Sequence, residues 1–262
     1  MREIFLHLAL HPLQSNRKQM SKVSLVIPFY NEACRFGRFR EQMQAYLQGA
    51  HPLGECILVD DGSTDNTLKL LKDFCLQAPV PCRVLQVQPN RGKGFAVRTG
   101  IMDAREPWVL VMDADMAYLP DQLNEWMELH GLDLDATPMA CFGSRELGIK
   151  QGLVTYQTHR RIMGRIYTLM IRFITGIRVK DTQCGFKLYP TALAREIFSK
   201  VKEERFAYDV EVHYLLKKMK HPTRLLPVKC NDRGYSRVRL FRDSLQMGLA
   251  LFAIRLRHRN YT

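Results

Sequence analysis

The chain has 262 residues, 39 of them Lys or Arg and 26 Asp or Glu, which gives a formal net charge of +13 at pH 7. Apolar residues make up 46% and charged residues 25%. Those proportions belong to a folded globular protein and exclude a disordered chain, a collagen and a protein with many membrane spans. The length is ample for one large α/β domain, and the surplus of positive charge asks for an anionic partner: nucleic acid, a membrane surface or a phosphorylated substrate.

In chain order, the apolar patch Ile4 to Leu10 is interrupted by His7 and lacks a small-residue cleavage site, so it does not read as a signal peptide. Val23 to Pro28 (VSLVIP) has the β-branched character of a buried strand and ends in Phe29-Tyr30-Asn31-Glu32. A helix follows to about Leu47. Cys56 to Val59 predicts a second strand, ending in Asp60-Asp61-Gly62-Ser63, with Ser63 and Asp65 as N-cap residue types for a helix to about Leu76. Arg83 to Val87 predicts a third strand, then Asn90-Arg91-Gly92-Lys93-Gly94 and a helix from Phe95 to Ala104. Trp108 to Met112 predicts a fourth, ending in Asp113-Ala114-Asp115. Repetition of strand, turn and helix predicts a mostly parallel sheet covered by helices. In such sheets ligands bind beyond the carboxyl ends of the strands, where each of these polar clusters falls.

Further on, a strand ends at Phe142-Gly143-Ser144-Arg145. Arg160 to Ile177 predicts a helix with Ile162, Ile166, Leu169, Met170 and Phe173 on one side and Arg161, Arg165 and Arg172 on another. Asp181 to Leu188 (DTQCGFKL) predicts a loop entering a strand. Helices near 191–200 and 208–219 follow, then a strand around Leu225 to Val228. The basic helix from about Leu240 aligns Leu245, Leu249, Phe252 and Leu256 among Arg242, Arg255, Arg257 and Arg259. Either it packs on the core with a basic tail, or it lies on anionic lipid. No segment approaches the ~20 apolar residues of a spanning helix. The expected organisation is a 1–21 extension, a 22–239 domain and a 240–262 helix. Seven scattered cysteines without a CxxC pair argue for reduced thiols, mostly in the core.

Three clusters carry the chemistry. Asp113 and Asp115, two apart in a strand, would face one side and repel unless a cation neutralises them. Hard divalent ions take a few carboxylates plus phosphate oxygens. Asp60-Asp61 offers a hydrogen bond to a base or ribose, or a turn with a helix cap. Asn90 to Gly94 places glycines and cations before a helix, where backbone amides hold anions, though a flexible basic turn has the same composition.

Together these motifs resemble the inverting family-2 glycosyltransferases with a GT-A fold, from about Val23 to near the end of the chain. Arg160-Arg161, DTQCGFKL, Phe206 to Glu211 (FAYDVE) and Ser244 to Gly248 look like the dolichyl-phosphate β-glucosyltransferase branch. The resemblance implies a single Rossmann-like α/β domain and transfer of a hexose, glucose from UDP-glucose in the first place, to a polyprenyl or dolichyl phosphate. By position, Pro28, Tyr30, Glu32, Asp61 and Lys93 would line the nucleotide-sugar pocket. Asp113, Ala114 and Asp115 would meet the diphosphate through Mg²⁺ or Mn²⁺, with Asp115 the nearest ligand. Arg145, Arg160 and Arg161 would bind acceptor phosphate, and Arg233 and Arg237 belong to a segment that closes over the donor. Arg237 stands where the family has Lys. Ala117 stands where mannosyl relatives carry a Gln ligand, as in the glucosyl branch. The eukaryotic glucosyl enzymes carry an N-terminal membrane helix that this chain lacks.

The acceptor phosphate is already a nucleophile, so it needs positioning more than a base. Asp181 is the candidate if a base exists, or else it orients its loop. The implied place is the cytoplasmic face of a membrane, with the protein held peripherally. The alternatives are transfer of mannose from GDP-mannose, another sugar, a non-lipid acceptor or, from a different class, a nucleic-acid-binding protein. A dinucleotide oxidoreductase would need a glycine fingerprint after the first strand, where PFYNE stands instead.

Overall fold

The computed structural model describes residues 22–136, 139–154, 158–179, 181–230 and 240–259, with side chains described outside 158–166 and 240–247. Seven strands form one sheet: β1 (Val23–Phe29), β2 (Leu53–Asp61), β3 (Cys82–Val87), β4 (Trp108–Met112), β5 (Ala140–Ser144), β6 (Phe186–Pro190) and β7 (Thr223–Pro227). Their order is β3-β2-β1-β4-β6-β5-β7. The first four are parallel, as the βα repetition predicts. β6 then runs antiparallel to both β4 and β5, and β5 pairs parallel with β7.

The sheet is covered on both faces, which is why β1, β2 and β4 carry apolar runs rather than apolar–polar alternation. Alternation along β1 sends Leu25, Ile27 and Phe29 into one core with helices α1 (Phe36–Gln48) and α2 (Thr67–Gln77). It sends Val26 into the other, with α3 (Lys93–Asp103) and the helices Thr191–Lys200 and Tyr208–Lys218. α3 lies so close to the sheet that a Cβ on Gly100 would meet Val26 and lie 3.1 Å from Val59 Cγ2. Two short helices escaped the pattern: α4 (Gln122–Glu128) and α5 (Arg145–Lys150), the latter capped by Ser144 Oγ, which accepts from Leu147 N at 3.2 Å.

The α2 cap differs from expectation. The helix begins at Thr67, and its N-cap residue, Asn66, makes no side-chain capping bond. Ser63 Oγ instead accepts from Asn31 N at 2.9 Å, and Asp65 accepts from Thr67 N at 3.0 Å and Ala33 N at 3.2 Å. These residues therefore stitch the loop after β2 to the loop after β1.

A third core joins α6 (Thr158–Thr175), α8 (Tyr208–Lys218) and α9 (Leu240–Arg257), while α7 (Thr191–Lys200) covers the sheet. Here the expected apolar side of α6 is corrected. Ile171, Ile174 and the following Ile177 are the buried residues, whereas Leu169, Met170 and Phe173 face out. Both stripes are apolar, and only the packing partner α8 decides which is covered. Of the cysteines, Cys56, Cys141 and Cys184 are buried, and Cys34 is exposed. The thiols are thus less concentrated in the core than expected.

Candidate active site

The parallel strands β1, β2 and β4 deliver Pro28, Asp61 and Asp113 to one edge of the sheet. β6 enters that edge from the opposite direction. Because Met112 pairs with Phe186, the loop Asp181–Gly185 is set beside the end of β4. A Cβ on Gly185 would lie 2.6 Å from Asp113 Cγ, so only glycine lets that loop pass so close.

Asp113 and Asp115 lie beyond the last residue of β4, in a turn that ends at Met116 with φ 54°. The strand alternation expected to align them does not extend this far; the turn keeps them together instead. Asp115 Oδ1 accepts from Ala117 N at 3.0 Å. Burial, and after it the Asp113 charge, raise Asp115 above its ordinary value, with Lys93 and Arg35 opposing. Lys93, at the start of α3, places Nζ 2.6 Å from Asp113 Oδ1. Burial works against that ammonium, yet Asp113, Asp209 and Asp115 hold its pKa above the ordinary value.

A divalent cation fits this pair. Two hard carboxylates crowded at a partly open strand end, one of them reluctant to ionise beside the other, are the donor set Mg²⁺ shares with phosphate oxygens. Among the described residues, no group of three or more His, Cys, Asp or Glu is placed to hold a metal ion.

The Asn90–Gly94 loop holds an anion, but that anion is internal. Asp61, which is buried, accepts from Asn90 Nδ2 at 2.7 Å, Arg91 N at 3.0 Å and Gly92 N at 2.7 Å. Burial raises its pKa and those amides oppose the rise. Asp61, expected to face a nucleoside, thus spends its carboxylate on fixing the loop from which Lys93 projects. Its neighbour Asp60, fully buried, keeps Oδ1 without a hydrogen-bond partner among the described residues. Gly92, at φ 112°, lets the loop pass under the 203–205 backbone.

At the end of β1, Tyr30 is half exposed at 41%. Glu32 is held by Arg35, whose Nε donates to Oε2 at 2.7 Å, and Arg35 also feels Asp115. Pro28 pairs with Val59 in the parallel ladder, and Ala114 sits between the two aspartates.

Arg145 and Asp181 meet as a closed pair. Arg145 donates through Nε at 2.8 Å and its backbone N at 3.0 Å to Oδ2, and through a terminal nitrogen at 2.6 Å to Oδ1. Burial opposes ionisation, but Arg145 and then Lys187 hold Asp181 below its ordinary value. A carboxylate so engaged is a poor proton acceptor. Arg160 and Arg161 fall on the first turn of α6, where the backbone is described and the side chains are not. Arg233 and Arg237 lie outside the described residues.

Two further charged residues went unassigned by sequence reasoning. Lys187, on β6 and 2% exposed, donates to Asp209 Oδ1 at 2.7 Å and to Cys184 O at 2.6 Å. Asp113, Lys93, Asp209 and Lys187 therefore form a line of alternating charges from the cleft into the core, with Asp115 a second acid beside Asp113 at its outer end. The signal was a lysine inside an otherwise apolar strand and an aspartate near the start of a helix that is buried from Tyr208 to Leu216.

The family described as Glycosyl transferase family 2 matches residues 24–198. The dolichyl-phosphate beta-glucosyltransferase of Homo sapiens is 34% identical over 248 residues, covering 90% of this chain and 76% of the relative. The enzyme of that name from Saccharomyces cerevisiae is 34% identical over 250 residues, covering 89% and 74%. Among solved structures, mannosyl-3-phosphoglycerate synthase from Rubrobacter xylanophilus superposes with a TM-score of 0.62 at 17% identity, over 92% of this chain and 76% of that one. Glucosyl-3-phosphoglycerate synthase from Mycobacterium tuberculosis, in complex with Mg²⁺ and UDP, gives 0.59 at 16% identity, over 90% and 79%. At these identities the structures bear on the fold, which is of the GT-A kind. The chain belongs to glycosyl transferase family 2 and, within it, to the dolichyl-phosphate β-glucosyltransferases.

Proposed function

We propose that this enzyme moves glucose, with inversion, from UDP-glucose to a polyprenyl phosphate of the dolichyl type. The observation that carries the reading is the Asp113–Asp115 pair at the end of β4, flanked by Lys93 and by the Asp181–Gly185 loop. The sugar and the acceptor come from the dolichyl-phosphate glucosyltransferase relatives, which match along about nine-tenths of the chain. Ala117 supports glucose over mannose: its methyl group cannot ligate a metal where mannosyl enzymes carry Gln.

Departure of a nucleoside diphosphate develops negative charge on the leaving oxygen, and a bound Mg²⁺ or Mn²⁺ on Asp115 and Asp113 would neutralise it. Lys93 supplies fixed positive charge beside the same carboxylates. Tyr30, Glu32 and Pro28, with Asp60 added to the predicted Asp61, form the nucleoside end. Asp61 serves by shaping the loop beneath. Arg145 holds the acceptor phosphate, with Arg160 and Arg161 from α6, and Arg233 and Arg237 close over the donor. Asp181 acts as a positioning residue that aims Arg145. The acceptor phosphate arrives already ionised, so no base is required. The acceptor's chain lies in a bilayer, so the proposed location is the cytoplasmic face of a membrane, held peripherally. Among the described residues no helix is long and apolar enough to cross one.

The test is a transfer assay with polyprenyl phosphate and a panel of nucleotide sugars, with and without Mn²⁺ or Mg²⁺. UDP-glucose with metal is expected to give glucosyl lipid, and Asp115→Ala is expected to lower the rate by on the order of 10³. GDP-mannose as the better donor overturns the sugar assignment. Release of free UDP with no lipid-linked sugar overturns the acceptor, and full activity of Asp115→Ala overturns the metal site.

A further inference from the structure

Two of the cysteines meet. Cys75 stands in the last turn of α2 and Cys82 is the first residue of β3, with only Leu76 to Pro81 between them. Their Sγ atoms lie 2.6 Å apart. Unbonded heavy atoms settle at about 3.5–4.0 Å, so the two thiols are pressed together. A disulfide bond is about 2.05 Å long, and the remaining approach is within reach of small side-chain rotations. Both residues pack at the margin of the same core, and both keep part of their surface in solvent.

The pair is also uneven in the way that thiol exchange requires. The Cys82 thiol donates its hydrogen to the Cys75 sulfur. That bond holds Cys75 below the ordinary thiol value although burial opposes it. The same bond, and after it burial, raises Cys82. Cys75 is thus the nucleophile and Cys82 the resolving thiol. Other cysteines contrast with them. Burial pushes Cys56 and Cys184 up to about 12 and Cys141 up to about 11, which leaves them inert. Cys34 is exposed, but it follows β1 at the other end of the sheet.

The place in the fold gives the bond a use. β3 ends the sheet and, among the described residues, pairs with β2 alone. A strand with one neighbour opens more readily than one held on both sides. A bond from Cys75 to Cys82 ties it to the helix that covers it.

We propose that Cys75 and Cys82 are a reversible redox pair, a modification site at which glutathione disulfide closes a bond between α2 and β3. The Cys75 thiolate attacks one sulfur of glutathione disulfide. Its S–S bond breaks, and the electron pair leaves on the other glutathione. Cys82 then loses its proton and attacks the Cys75 sulfur, which forms the internal bond and expels the second glutathione thiolate. Two protein thiols lose two electrons, and one glutathione disulfide becomes two thiols that take up the two protons. The site is independent of the glucosyl reaction, because it sits at the amino end of β3, opposite the edge that carries the carboxylates.

The test is incubation of the full chain with glutathione disulfide, then alkylation with iodoacetamide and digestion with trypsin. Both residues fall in one tryptic peptide, Asp73 to Arg83, which holds no other cysteine. That peptide is expected two hydrogens lighter than its reduced form, without alkyl or glutathione adducts, and dithiothreitol is expected to restore it. The oxidised chain is expected to melt roughly 5 °C above the reduced one. Cys82→Ser keeps the nucleophile without the resolving thiol, so its peptide is expected to carry one glutathione. Cys75→Ser is expected to take glutathione at Cys82 about tenfold more slowly. Recovery of the wild-type peptide with both cysteines alkylated, while Cys34 carries glutathione, overturns the proposal. So does a bond from either residue to Cys56, or equal rates in the two variants. An oxidised chain that melts no higher than the reduced one overturns the tie between α2 and β3.

Discussion

Gly185 shows how closely this site is built at the level of single atoms. A methyl group there would push into the Asp113 carboxylate, which Lys93 holds from the other side at 2.6 Å. Gly185→Ala is therefore expected to raise KM for the nucleotide sugar about tenfold, the order of a lost charged hydrogen bond, with little change in melting temperature. Steady-state kinetics beside a thermal melt check this, and an unchanged KM would show that Asp113 does not meet the donor. Some of this was legible in the sequence: Asp113-Ala114-Asp115 through its place at a strand end together with the other motifs, and DTQCG through the family resemblance. Which member of Asp60-Asp61 faces a ligand was not. Both aspartates have the same local sequence, and the answer depends on where the Asn90–Gly92 amides lie, a contact made about thirty residues away. Lys187 was hidden for a related reason, because its partner Asp209 sits on a distant helix.

At the scale of elements, α3 packs on the sheet beside α7, and Gly100 brings it against Val26 of β1 and Val59 of β2. Two effects oppose each other in Gly100→Ala. Alanine gains about 1 kcal/mol of helix propensity over glycine, while overpacking against Val26 and Val59, both on inner strands, costs about 1–3 kcal/mol. The strands cannot retreat, so a net loss of up to about 2 kcal/mol is expected, read as a lower urea midpoint at unchanged slope. Stabilisation instead would mean that α3 lifts freely from the sheet. Periodicity revealed the long helices and the buried strands well, because their faces are uniformly covered. It could not orient α6, whose upper half is apolar nearly all round, and it gave no sign of α4 and α5, which are too short to complete a repeat.

For the whole molecule, Glu55 is the point where separate strands and loops are bolted together. Buried on β2, it accepts from Ser24 Oγ of β1 at 2.6 Å and Arg105 N of the β4 approach at 2.7 Å, and it pairs with Arg83 of β3 at 2.5 Å. Burial raises its pKa, but Arg83, Ser24 and Arg105 outweigh that and hold it below the ordinary glutamate value of 4.5. A depressed folded value stabilises the fold above the unfolded pKa, and the benefit disappears as pH falls through the lower, folded one. Glu55→Ala is expected to cost about 2–3 kcal/mol at neutral pH by stranding its donors. The gap to the wild type should narrow below pH 4, followed by denaturant titration at each pH. A gap that stays constant with pH would remove the electrostatic explanation. The mostly parallel α/β class was legible at this scale because four βα units in succession permit little else. The reversal at β6 was not, since nothing in FKLYP states which way the strand runs.

That reversal has a mechanical consequence. β6 is hydrogen-bonded to β4 on one side and to β5 on the other, so the strands leading to the donor carboxylates and those leading to Arg145 belong to one continuous ladder. Among the described residues, strand pairing runs unbroken between the two halves of the proposed site. Rocking them apart would tear strand pairing along the middle of the sheet, a motion far costlier than loop rearrangement. On the site assignment proposed above, turnover is expected to be gated by short segments at the sheet's edge, with the frame holding the donor and acceptor sides at a fixed separation.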